Sequence, residues 1–140
     1  MPPNRPVPGS AAEWLRRARA DLALAGVALP PDGMYEDLCF HAQQAAEKAI
    51  KAVYRHHGWA FRYTHDIKEL LAGLRAHSMS VPDDVEEAAT LTIYAHQVRY
   101  PGFEEPVTVQ EHATALTLAR RVVAWAAGLI DPAAPAEASG

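Results

Sequence analysis

Helical periodicity recurs five times along the chain, and no stretch alternates apolar and polar residues as a half-buried strand does. The first segment opens on Ser10-Ala11-Ala12-Glu13, a capping-box pattern in which hydroxyl and carboxylate satisfy orphan amide groups. Its apolar line, Ala11, Leu15, Ala18, Leu22, Ala25 and Leu29, alternates steps of four and three residues and makes a heptad-like seam. Pro30-Pro31-Asp32-Gly33 ends it. The second segment runs from about Met34 to His57 and stops at Gly58. The third follows Thr64, its expected N-cap, with acids Asp66 and Glu69 in the early turns and Ile67, Leu70, Leu71 and Leu74 as its stripe. The fourth begins near Asp83 and carries Ala88, Leu91, Tyr94, Ala95 and Val98 on one side. It must stop before Pro101, whose ring disfavours helical backbone in the preceding residue. The fifth opens on a second capping box, Thr108-Val109-Gln110-Glu111, and its stripe is Val109, Ala113, Leu116, Val123, Ala127 and Ile130.

Helices with one apolar stripe and short connections pack antiparallel around a shared core. The pattern therefore predicts an all-α, up-and-down helical bundle of four to five antiparallel helices over residues 10–130. Residues 1–9 (MPPNRPVPG) and 131–140 (DPAAPAEASG) are rich in Pro, Ala and Gly with little to bury, and are expected to be disordered tails.

The second segment, "CFHAQQAAEKAIKAVYR" from Cys39 to Arg55, divides cleanly when its residues are set at about 100° intervals. One arc holds Leu38, Cys39, Ala42, Ala45, Ala46, Ala49, Ile50, Ala52 and Val53 and no charge. Alanine is small enough for neighbouring helices to approach closely, so this is expected to be the central helix. The other arc brings His41, Gln44, Lys48, Lys51 and Arg55 within roughly 80° of one another. A donor stripe with three cations suits phosphate, because each cation adds charge-assisted hydrogen bonds. An ordinary solvated face, with Glu47–Lys51 as an i,i+4 pair, is the plainer account of the same residues.

Composition limits the alternatives. Of 140 residues 49% are hydrophobic and 21% charged, as in a globular domain, and the net charge of −4 supplies no overall basic field for nucleic acid. Any anion site must be local. Cys39 is the single cysteine, so no internal disulfide forms. It lies on the apolar arc, as buried filler does. No segment resembles a signal peptide or a membrane span, and a reducing cytoplasm is the expected compartment. The seven histidines lack the spacing of a metal site, and no glycine-rich phosphate loop or nucleophile elbow occurs. His65 follows Thr64 near a helix N-terminus, where the dipole favours a neutral ring. Arg99, in "VRYPG", borders the core at the end of the fourth helix and needs carbonyl, carboxylate or phosphate partners.

Four stretches together resemble the HEPN family (higher eukaryotes and prokaryotes nucleotide-binding domain). They are "ARADLALA", "CFHAQQAAEKAIKAVYRHHG", "THDIKELL" and "YAHQVRYPG", and the likeness covers about residues 10–130. The second is the most specific. The resemblance implies an all-α bundle that commonly dimerises, often beside a small MNT-type nucleotidyltransferase in a toxin–antitoxin-like system. Many such toxins are metal-independent ribonucleases with an Arg-x(4–6)-His motif, whose arginine stabilises the phosphate while the histidine assists attack by the 2′-hydroxyl.

This chain departs from that pattern: the next histidine after Arg99 is His112, and no arginine here has the required spacing. The expectation is a nucleotide- or RNA-binding module using His41, Gln44, Lys48, Lys51, Arg55, Arg99 and Tyr100, acting with an MNT-type partner and without metal or cofactor. The alternatives are a divergent ribonuclease, with Arg99 and His65 as catalytic candidates, and a non-catalytic adaptor. The aromatics Phe40, Trp59, Phe61 and Trp125 exceed what one small bundle needs, which points to a homodimer.

Overall fold

The computed structural model describes residues 6–96 and 105–131. Among these it has five α-helices and no strand: α1 Ala11–Ala25, α2 Tyr35–His56, α3 Ile67–Ala76, α4 Asp83–Glu86 and α5 Val109–Ile130, with a 3-10 segment, Glu87–Tyr94, continuing α4. The caps follow local chemistry. Thr108 and Glu111 make a complete capping box. At α1 only half the box forms: Ser10 Oγ accepts from the Glu13 amide, but the Glu13 carboxylate turns to Arg16 and Arg17. The N-cap of α3 is Asp66 rather than Thr64. The Thr64 hydroxyl accepts from the Asp66 amide instead, fixing the turn that enters the helix.

The topology is the expected up-and-down bundle. His112 Nε2 lies 2.7 Å from the Ala25 carbonyl, and the Val107 amide donates to Glu36 at 2.9 Å, so the end of α1 and the starts of α2 and α5 meet at one end. Arg121 pairs with Glu87 and Tyr94 bonds to Glu111, so the 3-10 segment runs antiparallel to α5. Each successive long element therefore reverses direction, with α3 packed as a short brace. α2 is central, touching α1, α5, α3 and the 3-10 segment. Its Ala42, Ala45, Ala46, Ala49 and Ala52 are fully buried, which lets helix axes approach to roughly 8 Å.

Two segments differ from their stripes. The fourth is one α-turn and then 3-10 helix, not a single α-helix. Ala88, Leu91 and Tyr94 are three residues apart, a spacing that a 3-10 helix places on one line, and all three are buried. In α5 the buried face is Ala115, Leu118, Ala119, Val122, Val123, Ala126 and Ala127, while Val109 and Ala113 are exposed. α5 is apolar on most sides, so several phases fit its sequence, and contact with α2 selects one. For the same reason it is long and apolar enough to cross a membrane by length and composition, contrary to the expectation that no segment resembles a span. Here α5 packs as a core helix against α2 and α1.

One close contact joins α2 to α3. The Tyr54 hydroxyl donates to the Leu70 carbonyl, and a Cβ at Gly73 would overlap that hydroxyl. Gly73→Ala should therefore cost about 2 kcal/mol, the scale of overpacking a core. In a Tyr54→Phe background the same change should cost markedly less, because the overlapping atom is gone. Chemical denaturation of the four proteins measures this, and equal costs in both backgrounds would exclude the contact as the cause.

Candidate functional site

The polar arc of α2 does not face open water. α1 and the loop between α2 and α3 close over it. Glu47 is 3% exposed and Lys51 is 4%. Lys51 Nζ lies 2.8 Å from Glu47 Oε2, while Glu47 Oε1 accepts from Gln43 Nε2 at 3.0 Å and from His65 Nδ1 at 2.8 Å. Gln43 also donates to the His65 carbonyl, and Gln44 donates to Gln43. The rings of Trp14, Phe61 and Tyr63 surround the Lys51 ammonium at 5.3–5.7 Å, so the charge is met by one carboxylate and three π-faces. Burial pushes the Glu47 pKa up, but the hydrogen bonds from Lys51, Gln43 and His65 outweigh it and hold the carboxyl below its ordinary value.

A second carboxylate organises the neighbouring part of the arc. Asp21, on α1, takes His41 Nδ1 at 2.9 Å on one oxygen and Lys48 Nζ at 2.7 Å on the other. The two clusters share one design: a carboxylate holds a histidine by Nδ1 and a lysine by Nζ. A carboxylate only accepts, so each Nδ1 carries the proton. Nε2 of each ring then has no partner among the described residues. Glu47 pairs with Lys51 as the i,i+4 spacing predicts, whereas Asp21 is an organising residue that the helical wheel of α2 does not reveal. The signal for Asp21 was its place on α1, three residues after buried Ala18 and four before buried Ala25, facing a basic arc.

The stripe ends differently. Arg55 is exposed, lies over the Phe61 ring at 4.5 Å and has no carboxylate partner among the described residues. Just beyond it, Trp59 stacks on His57 at 4.4 Å and on His77 at 4.0 Å, within 17° and 5° of parallel. Arg99 and Tyr100 lie outside the described residues. No group of three or more His, Cys, Asp or Glu side chains among the described residues could hold a metal.

The sequence profile of the HEPN domain matches residues 11–129. This chain belongs to the HEPN family. Two solved structures share its fold. The crystal structure of ST0689, an archaeal HEPN homologue, is 30% identical with a TM-score of 0.70, over 87% of this chain and 98% of that one. The crystal structure of TT1696 from Thermus thermophilus is 37% identical with a TM-score of 0.72, over 84% and 96%. No curated protein matches the chain.

Within this HEPN domain the stripe thus splits by environment. Lys51 is an internal cation, Lys48 and His41 share Asp21, and Arg55 presents its charge outward. The aromatics that looked surplus are half-buried, and Trp59, Phe61 and Trp125 pack against the core of their own bundle.

The Glu47 cluster should govern acid stability. A carboxyl held below its ordinary pKa contributes stability that is present above that ordinary value and is lost as pH falls through the folded one. Glu47→Gln should remove this dependence and cost about 3 kcal/mol at pH 7 by leaving Lys51 unpaired. Thermal melts from pH 3 to 8 test it. A variant whose melting temperature tracks the wild type in parallel across that range would show that another group carries the acid transition.

Proposed function

We propose that this HEPN domain binds a nucleotide or single-stranded RNA at the end of the bundle where α2 terminates. The observation that carries the reading is the juxtaposition of Arg55 with the His57–Trp59–His77 stack. An exposed guanidinium beside stacked rings suits a phosphate and its base, since bases stack on aromatic faces and cations track the backbone. Lys48, two turns back along α2 and anchored to Asp21, adds positive charge on the same face, whereas His41 lies near the start of the helix, about 20 Å from Arg55. Arg55→Glu should weaken binding of a short single-stranded RNA about tenfold at low salt without lowering the melting temperature. Fluorescence anisotropy measures it, and unchanged affinity would remove Arg55 from the site.

A second reading, metal-independent RNA cleavage, is favoured by one observation. Glu47 holds His65 by Nδ1, the orientation that leaves Nε2 for proton transfer. The same RNA distinguishes the two: intact strands after incubation in EDTA support binding alone, and cleavage abolished by His65→Ala supports the second reading.

Family membership supports a further part of the proposal, an MNT-type nucleotidyltransferase partner in a toxin–antitoxin-like system in the cytoplasm, with the HEPN domain as a homodimer. The two proteins should co-purify when expressed together, and light scattering of this chain alone should give twice its 15.2 kDa mass. A monomer that ignores the nucleotidyltransferase would defeat both expectations.

A further inference from the structure

A groove of about 440 Å³ lies between the α2–α3 loop and α3, next to the ring stack, and nothing among the described residues fills it. Tyr54, Phe61, Leu70, Gly73 and Ala76 are among the residues that line it. The Tyr54 hydroxyl fills the space that a side chain at Gly73 would take and is already committed to the Leu70 carbonyl, so this part of the lining offers a ligand no free polar group. His77, stacked on Trp59, also lines it. This is the profile of a small-molecule site: apolar walls with a few convergent polar groups.

The polar groups lie on the rim. Arg62 Nη1 is 2.8 Å from Glu69 Oε1, and the Thr64 hydroxyl is 3.3 Å from Glu69 Oε2. The Arg62 side chain is 83% exposed. An exposed pair of this kind contributes little, because water screens it and both side chains must be ordered. A ligand can therefore displace Arg62 from Glu69 at small cost. A carboxylate offers two acceptors side by side, and the base whose pairing edge presents two adjacent donors is guanine, through N1–H and the 2-amino group. Adenine and cytosine set a donor beside an acceptor, and uracil flanks its single donor with two acceptors.

We infer that this groove is a guanine pocket. The base lies flat over Gly73, Glu69 accepts from N1–H and the 2-amino group, and Arg62 turns from Glu69 to the nucleotide's phosphate. The inference rests on the nucleotide-binding reading above and adds a base-specific subsite beside the ring stack, with Arg62 rather than Arg55 on its phosphate.

Isothermal titration of the full chain with GMP, AMP, CMP and UMP tests it. GMP should bind at least about tenfold tighter than the other three, the discrimination expected of one bidentate base contact. Glu69→Gln, whose amide offers one acceptor and one donor, should bring GMP to the level of AMP. Ala76→Trp should block the groove and weaken GMP binding; Ala76 is exposed at the end of α3, so the variant should stay helical, which circular dichroism checks. Equal binding of all four nucleotides, or a guanine preference that survives Glu69→Gln, overturns the pocket while leaving the nucleotide-binding reading intact. Absence of binding by any of the four overturns both.

Discussion

The buried carboxylate of Glu47 is the constraint around which one side of this bundle is assembled. Three donors from two different parts of the chain converge on it: Lys51 and Gln43 from α2, and His65 from the loop that leads to α3. Each donor alone would be costly to bury. Together they satisfy one another, which is the condition under which ionised groups persist in a protein interior. The loop cannot leave without stripping His65 from Glu47 and the Phe61 and Tyr63 rings from Lys51. Nor can α1 shift freely, because Trp14 contributes a third ring to the same ammonium and packs edge-on against Phe61 at 5.8 Å.

The alanine arc on the far side of α2 makes this enclosure possible. Small side chains bring α5 and α1 close, and close neighbours on one face draw the remaining elements over the other. A helix packed on so many partners has little perimeter left for solvent. Its polar residues therefore either find partners inside the protein or are excluded from the helix. Asp21 and Glu47 are those partners, one contributed across the α1–α2 interface and one from α2 itself. The bundle thus commits two carboxylates to neutralising two of the three cations of α2.

Much of this was legible in the sequence and some was not, for definite reasons. Segment number and type followed from periodicity, and the stripe of α3, Ile67, Leu70, Leu71 and Leu74, is buried in full. The all-α bundle and the family followed from the same segments. Periodicity failed where it was ambiguous. A three-residue repeat from Ala88 to Tyr94 fits 3-10 and α geometry alike, and an α5 apolar on most sides has no unique phase. The candidate site failed differently. A helical wheel reports angles around one axis and says nothing of what covers each angle. Lys51 and Arg55 sit one turn apart on one face, yet one is enclosed by Trp14, Phe61 and Tyr63 and the other is exposed. Only the fold, by placing α1 and the α2–α3 loop, separates them.

That separation decides where recognition can occur. A cation already held by a carboxylate and three rings gains little from a phosphate, because binding must first break contacts of similar strength in a medium of low dielectric. A cation lying on one ring, with its donors still in water, loses only hydration that the phosphate replaces. The gradient along α2 therefore runs from structure to availability: Lys51 is consumed by the interior, Lys48, itself partly exposed, shares the buried carboxylate of Asp21, and Arg55 is the open end. The stacked rings of His57, Trp59 and His77 and the groove under Glu69 lie at that same end. Stability and binding use the same face of one helix, but at different turns, and the loop from Gly58 to Asp66 is the boundary between them.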